Sequence, residues 1–221
     1  MSTKIGLIHT SFVSVDHLKQ LFGEILPSAR MVNIVDDSLL PDVIAAGGAT
    51  PAVITRVCTY ALTLERSGCD LLFNQCSSVG EAADVARQMI SVPYLKVDEP
   101  MAHKAVATGP RISVVATVAS TVGPSVRLVE RAAAEQGKDV TVKDRLVDGA
   151  LDILMKEGNR EKHNQLVLKE IEAAQKDSDV IVLAQGSMAV LEPYLNDFSV
   201  PVLTSPRLGV EAVRDFLEAK K

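Results

Sequence analysis

The chain has 221 residues, with 23 lysines and arginines against 28 aspartates and glutamates for a formal net charge of −5, and 47% of it is apolar. That composition reads as a soluble globular protein, long enough for one large domain or two small ones, each able to bury a core without disulfides or metals. Mild acidity, five Phe, three Tyr, no Trp and no basic cluster before Lys220-Lys221 argue against a nucleic-acid partner, and no apolar run approaches the roughly 18 residues that span a bilayer.

Met1-Ser2-Thr3-Lys4 leads straight into Ile5-Gly6-Leu7-Ile8, a run too short for a signal-peptide core and without a cleavage site, so a cytoplasmic protein is expected. Residues 4–9 read as a buried strand, and a helical period opens at Asp16-His17-Leu18. Residues 30–35 form a second predicted strand. Thr50-Pro51 supplies a capping hydroxyl and a proline at the first helical position, so a helix is expected to run to about Arg66, where Ser67-Gly68 stops it. A third strand is predicted over 70–74, a helix over 80–90 and a fourth strand over 92–97. Strands separated by helices imply βαβ units and a parallel sheet covered on both faces.

This order repeats. Ile5-Gly6-Leu7-Ile8-His9-Thr10 is echoed by Ile112-Ser113-Val114-Val115-Ala116-Thr117, Asn74-Gln75-Cys76-Ser77 by Ala184-Gln185-Gly186-Ser187, and Ser91-Val92-Pro93-Tyr94-Leu95 by Ser199-Val200-Pro201-Val202-Leu203. The offsets are 112 − 5 = 107, 184 − 74 = 110 and 199 − 91 = 108 residues, so three matches in the same order agree on an internal duplication. Two pseudo-symmetric, flavodoxin-like α/β lobes are expected, each a parallel sheet flanked by helices, with the active-site cleft between them. The first lobe is assigned to residues 1–98 plus 206–221 and the second to 99–205.

Ligands of open parallel sheets sit beyond the carboxyl ends of the strands. The residues there are Thr10-Ser11, Cys76-Ser77-Ser78, Thr117 with Ser120-Thr121, and Gly186-Ser187-Met188. Such small, hydroxylic loops suit an anion, and a carboxylate is expected because neither a G-x-x-x-x-G-K-[ST] nor a G-x-G-x-x-G phosphate loop occurs. That absence also disfavours a nucleotide-binding flavodoxin-like protein.

Cys58, Cys69 and Cys76 form no C-x-x-C pair and have no His at ligand spacing, so neither a disulfide framework nor a metal site is expected. Cys58 and Cys69 read as packing residues. Cys76 instead ends the apolar run Leu71-Leu72-Phe73 and precedes an expected helix, whose N-terminal N–H groups and partial positive charge favour a thiolate. His9, at the end of the first strand, is a candidate proton shuttle, whereas His17, His103 and His163 read as surface or packing residues. Asn74 is expected to point to the same side as Cys76. Asp98 and Arg207, each after the fourth strand of its lobe, are candidate substrate contacts, the arginine for a second carboxylate or a phosphate.

Gly6-Leu7-Ile8-His9-Thr10, Phe73-Asn74-Gln75-Cys76-Ser77-Ser78, Pro100-Met101-Ala102, Val115-Ala116-Thr117 with Ser120-Thr121, and Val182-Leu183-Ala184-Gln185-Gly186-Ser187 together resemble the aspartate/glutamate/hydantoin racemase superfamily over essentially the whole chain. The resemblance implies cofactor-independent acid–base chemistry at the carbon next to a carboxylate. In such racemases one cysteine from each lobe faces the substrate, and N–H groups and hydroxyls hold its carboxylate. By that resemblance Cys76 is the first-lobe thiol, with Thr10, Ser11, Asn74, Ser77, Ser78, Thr117, Ser120, Thr121, Gly186 and Ser187 holding the carboxylate.

The sequence departs from the pattern at the second-lobe position, which is Gly186, with Ser187 as a weaker acid beside it. A single thiol also fits the one-cysteine decarboxylases of the superfamily, though those keep the thiol on the other lobe, and it fits other lyase chemistry or a binding protein that has lost catalysis. A homo-oligomer is expected by analogy with the family.

Overall fold

The structure, a computed structural model, describes residues 2–220. Its chain divides into two compact units, Met1–Pro100 with Pro206–Lys221, and Met101–Ser205.

In the first unit β1 (Lys4–His9), β2 (Arg30–Val35), β3 (Leu71–Asn74) and β4 (Tyr94–Lys96) form a parallel sheet in the order β2-β1-β3-β4. The helices are α1 (Val15–Ile25), α2 (Leu39–Ala46), α3 (Pro51–Arg66), α4 (Gly80–Arg87) and α9 (Ser205–Glu218), with α5 to α8 falling in the intervening chain. Because both faces are covered, the central strands are apolar on both sides, and their alternation decides what each side chain meets. Ile5, Leu7, Leu71 and Phe73 pack with Leu18, Leu21 and Phe22 of α1 and with Val210 and Val213 of α9. Ile8 and Leu72 point the other way, to Val53, Val57, Ala61 and Leu64 of α3 and Ala82, Ala83 and Ala86 of α4. Phe22 and Phe73 meet edge to face, centroids 5.5 Å apart and planes at 89°, an arrangement worth about 0.5–1.5 kcal/mol beyond the area it buries.

Helix α3 begins as expected. The Thr50 hydroxyl accepts the Val53 N–H at 3.3 Å and Pro51 takes the first position. It stops where Gly68 turns to φ +80° and the N–H groups of Gly68 and Cys69 return to the carbonyls of Glu65 and Leu64. Two predicted elements are shorter in the structure. Helix α4 ends at Arg87 rather than Ile90, closing through Gln88 and Met89 N–H groups donated to Val85 and Ala86. Strand β4 pairs only over Tyr94–Lys96, because β3 itself offers four residues.

The second unit repeats the strand order. Strands β5 (Arg111–Ala116), β6 (Thr141–Leu146), β7 (Val180–Leu183) and β8 (Val202–Leu203) run parallel in the order β6-β5-β7-β8. Its helices are α5 (Glu99–Thr108), α6 (Ala119–Glu135), α7 (Ala150–Lys156) and α8 (Arg160–Ala174), and the stretch Gly186–Asp197 is a 3-10 helix. Val115, Ile181 and Leu183 pack with Val167 and Ile171 of α8 and with Met188 and Leu191, while α6 lies against β5 and β6. No described helix is long and apolar enough to cross a membrane.

Helix α9 approaches β4 closely at Gly209, where a Cβ would stand 2.8 Å from the Val97 carbonyl oxygen and 3.0 Å from Val97 Cα. Backbone cannot swing aside as a side-chain tip does. Gly209→Ala is therefore expected to lower stability by about 1–3 kcal/mol in urea unfolding. Gly23→Ala in α1, with nothing within 4 Å of the added methyl, is expected to be neutral or to stabilise by up to about 1 kcal/mol.

Candidate active site

With β1 between β2 and β3, the chain leaves the β1/β3 boundary in opposite directions, and the carboxyl ends of those strands are where such sheets open a crevice. Thr10 follows β1 and Cys76 follows β3. Ile8 is registered opposite Asn74, and the Gln75 N–H donates to the Ile8 carbonyl at 3.3 Å, so pairing continues to the residue before the thiol. Cys76 is extended, at φ −125° and ψ 120°, and heads a 3-10 turn over Ser77–Val79. Asn74, fully buried, donates its Nδ2 to the Cys76 carbonyl at 2.9 Å. It thus fixes the thiol's backbone.

The Thr10 and Ser78 hydroxyls and the Ser78 and Val79 N–H groups favour the Cys76 thiolate, but burial outweighs them and pushes the thiol above its ordinary value. Cys76 heads the short turn, which runs directly into α4 at Gly80, so the groups that favour its thiolate belong to that turn and to Thr10.

The surroundings of the turn are tightly held. Asp98 is buried, its Oδ1 has no partner among the described residues, and burial pushes its carboxyl upward against the opposing effects of Ser77 and Lys96. Lys96 is buried as well, its Nζ 2.9 Å from Asp84 Oδ1 and 3.6 Å from Glu99 Oε1. Arg87 reaches Glu99 Oε2 at 2.9 Å and donates its Nε to the Tyr94 carbonyl at 2.9 Å. These pairs tie α4 to the segment around β4. His9 is fully buried, Nε2 lies 2.8 Å from Asn33 Oδ1, and Nδ1 has no partner among the described residues. Ser11 is half-buried.

In the second unit the equivalent strand ends carry an interaction that sequence reasoning missed. Gln185 accepts the Thr117 N–H at 3.0 Å through Oε1 and donates Nε2 to the Thr117 hydroxyl at 3.1 Å. The Thr117 N–H is therefore engaged, while its hydroxyl accepts and keeps its own proton to donate. The available signal was the glutamine shared by the repeated Asn74-Gln75 and Ala184-Gln185. Thr121 closes the start of α6, its hydroxyl donating to the Val118 carbonyl at 2.7 Å. Ser120 is buried with an unpartnered hydroxyl, at a helix start that no side chain caps. Gly186 opens the 3-10 helix and Ser187 is exposed. The Arg207 guanidinium forks onto Glu24 of α1 at 2.9 and 3.0 Å. Cys58 and Cys69 are buried. Among the described residues no three His, Cys, Asp or Glu side chains are grouped so as to hold a metal.

Two like α/β units, one with a thiol and hydroxyls at its sheet's switch point, suit acid–base chemistry on a small molecule. Residues 5–213 match the Asp/Glu/Hydantoin racemase family, and the chain belongs to it. No curated relative matches the chain. Among solved structures it is similar to glutamate racemase from Francisella tularensis in complex with D-glutamate, at TM-score 0.76 and 14% identity over 99% of this chain and 82% of that one. It is similar to the aspartate racemase of Picrophilus torridus, at TM-score 0.72 and 15% identity over 98% and 94%. Allantoin racemase from Klebsiella pneumoniae gives TM-score 0.71 and 19% identity over 99% and 89%. These likenesses establish the fold.

Burial holds the His9 ring below its ordinary value, and the Asn33 bond only partly restores it. Between that lowered value and the ordinary 6.5 of an unfolded histidine, the unfolded chain binds more protons. The contribution of His9 is therefore complete above about pH 6.5 and is lost as pH falls through the folded value. Chemical denaturation from pH 7.5 to 5 should show stability falling on the acid side, with a shallower slope in His9→Gln.

Proposed function

We propose that the protein performs cofactor-independent acid–base chemistry at the carbon next to the carboxylate of a small acid, with Cys76 as its single acid/base thiol. The observation that carries this reading is the placement of Cys76 just past β3, level in the β1–β3 register with Thr10 and at the head of the Ser77–Val79 turn, in a chain of the racemase family. The protonated thiol gives its proton to a carbanion or enolate. In the reverse direction the thiolate takes the proton from the α-carbon, and the charge that develops on the carboxylate oxygens is held by hydrogen-bond donors.

Thr10, Ser11, Ser77 and Ser78 hold the carboxylate in the first lobe, which spans residues 1–98 and 206–221. Ser120 at the uncapped start of α6, with Thr117 and Thr121 beside it, does so in the second, which spans 99–205. Gly186 and Ser187 stand where a two-thiol racemase would carry its second cysteine. A second reading is loss of a carboxyl group as CO₂ followed by protonation from Cys76, a sequence that needs one thiol on one face. Aspartate and glutamate are the first substrates to test, since related racemases bear those names, and methylmalonate tests decarboxylation.

Proton NMR in heavy water is the measurement. Wild type should place deuterium on the α-carbon of one of these acids, with loss of optical activity for racemisation or CO₂ release for decarboxylation. Cys76→Ala should slow this by at least about 10²-fold, the lower range for a positioned acid–base group. Exchange by Cys76→Ala at the wild-type rate overturns the assignment. Tight binding of an acid without any exchange would instead mark a binding protein.

A further inference from the structure

The backbone gives Cys76 a counterpart in the second unit. Cys76 is the second residue past β3, extended at φ −125° and ψ 120°, and heads the 3-10 turn Ser77–Val79. Gln185 is the second residue past β7, extended at φ −119° and ψ 133°, and heads the 3-10 helix Gly186–Asp197. Their hydrogen bonds correspond as well. The Gln75 N–H donates to the Ile8 carbonyl and the Ala184 N–H to that of Val115, while the Cys76 carbonyl accepts from Val79 and that of Gln185 from Met188. Val115 stands opposite Leu183, which sets Thr117 level with Gln185 as Thr10 is level with Cys76. The sequence repeat gives this position to Gly186, and the strand ends move it one residue, to Gln185.

A carboxamide neither gives up nor takes a proton near neutral pH, so Gln185 cannot repeat the chemistry of a thiol. Its hydrogen bonds are forced instead. The Thr117 N–H can only donate, so the amide turns Oε1 to it, at 3.0 Å. Nε2 then faces the Thr117 hydroxyl at 3.1 Å, and that oxygen must accept. The hydroxyl's own proton finds no acceptor among the described residues. Ser120 nearby has a buried hydroxyl with no partner among them. Thr117 and Ser120 are only 7% and 9% exposed, and they stand at the start of the 17-residue α6, where no side chain caps the first N–H groups. Hydrogens to donate thus gather at one place. A carboxylate oxygen, which only accepts, satisfies them, whereas a carboxamide brings an N–H that finds no acceptor.

We propose that Gln185 is a positioning residue: by engaging both polar groups of Thr117 it makes the hydroxyl an obligate donor, and so selects carboxylate over carboxamide at the start of α6. The inference rests on reading Thr117 and Ser120 as carboxylate holders, and it adds the group that sets their polarity. The place that the first unit gives to a thiol is used in the second to orient a donor.

The test is titration of the ¹⁵N-labelled full chain with sodium acetate and with acetamide, at ionic strength matched by sodium chloride. Acetate should shift the Thr117 and Ser120 amide peaks saturably, at a concentration about tenfold below that at which acetamide does so. Gln185→Glu accepts both the N–H and the O–H of Thr117 and so captures the free proton; it should weaken acetate by at least about tenfold. In a Thr117→Val background there is no such proton, and the same change should cost at most about threefold. Unmoved amide peaks of Val114 and Ile171 report that each variant keeps its fold. Equal costs of Gln185→Glu in the two backgrounds overturn the proposal by showing that charge alone acts, and they leave the carboxylate reading of the loop standing. Equal affinity for acetate and acetamide overturns the selection. Acetate that leaves Thr117 and Ser120 unmoved in wild type overturns both the proposal and the carboxylate reading. None of these measurements requires turnover, so they are independent of whether Cys76→Ala abolishes exchange.

Discussion

The register of β1 on β3, Ile8 opposite Asn74, is the constraint from which the site follows. It sets the first residue after one strand, Thr10, level with the second residue after the other, Cys76. Both faces of the sheet enforce it. Ile5, Leu7, Leu71 and Phe73 share one core, and Ile8 and Leu72 another. A slip of one residue would exchange every one of these contacts. Gly6 contributes by its size, since a Cβ there would stand 2.7 Å from Leu72 Cδ2 and 3.0 Å from Leu64 Cδ1.

The same dryness that fixes the register works against a charged catalytic group. A thiolate at the end of an apolar strand loses solvation, and the protein answers with oriented hydroxyls and N–H groups rather than with a cation. The charges nearby are used for mechanical ends. Lys96, Asp84, Arg87 and Glu99 bind one another and so fasten α4 to β4. A buried pair of this kind adds little net stability because desolvation offsets attraction, but breaking one partner leaves a costly unpaired charge. The network therefore resists distortion more than it stabilises the fold.

Much of this was legible in the sequence. Strands β1 and β2 and the start of α3 follow from apolar runs, a capping hydroxyl and a proline, all local signals. The hydroxyl-rich loops were readable because they fall immediately after those strands. Strand β6 was not, since Lys143, Asp144 and Arg145 at a half-exposed sheet edge leave no apolar pattern. The turn at Ser77–Val79 was not foreseen as an element of its own, because a 3-10 turn and the start of an α-helix share their residue preferences. Arg207 with Glu24 and Gln185 with Thr117 are pairings between residues 183 and 68 positions apart. Nothing local encodes such pairings, and they decide which polar groups remain available.

The charges that hid β6 from the sequence reading have a consequence for colloidal behaviour. Every open sheet ends in unpaired backbone groups that could recruit a strand from another molecule. At one edge of each sheet this one offers only the three-residue β4 and the two-residue β8, too short to act as templates. At another, β6 alternates its exposed positions with lysine, aspartate and arginine, side chains that resist close stacking of a foreign strand. Strand β2, six residues long and carrying Met31, Val32, Ile34 and Val35, has the least such protection. Aggregation of partly unfolded chains would therefore begin most readily at β2.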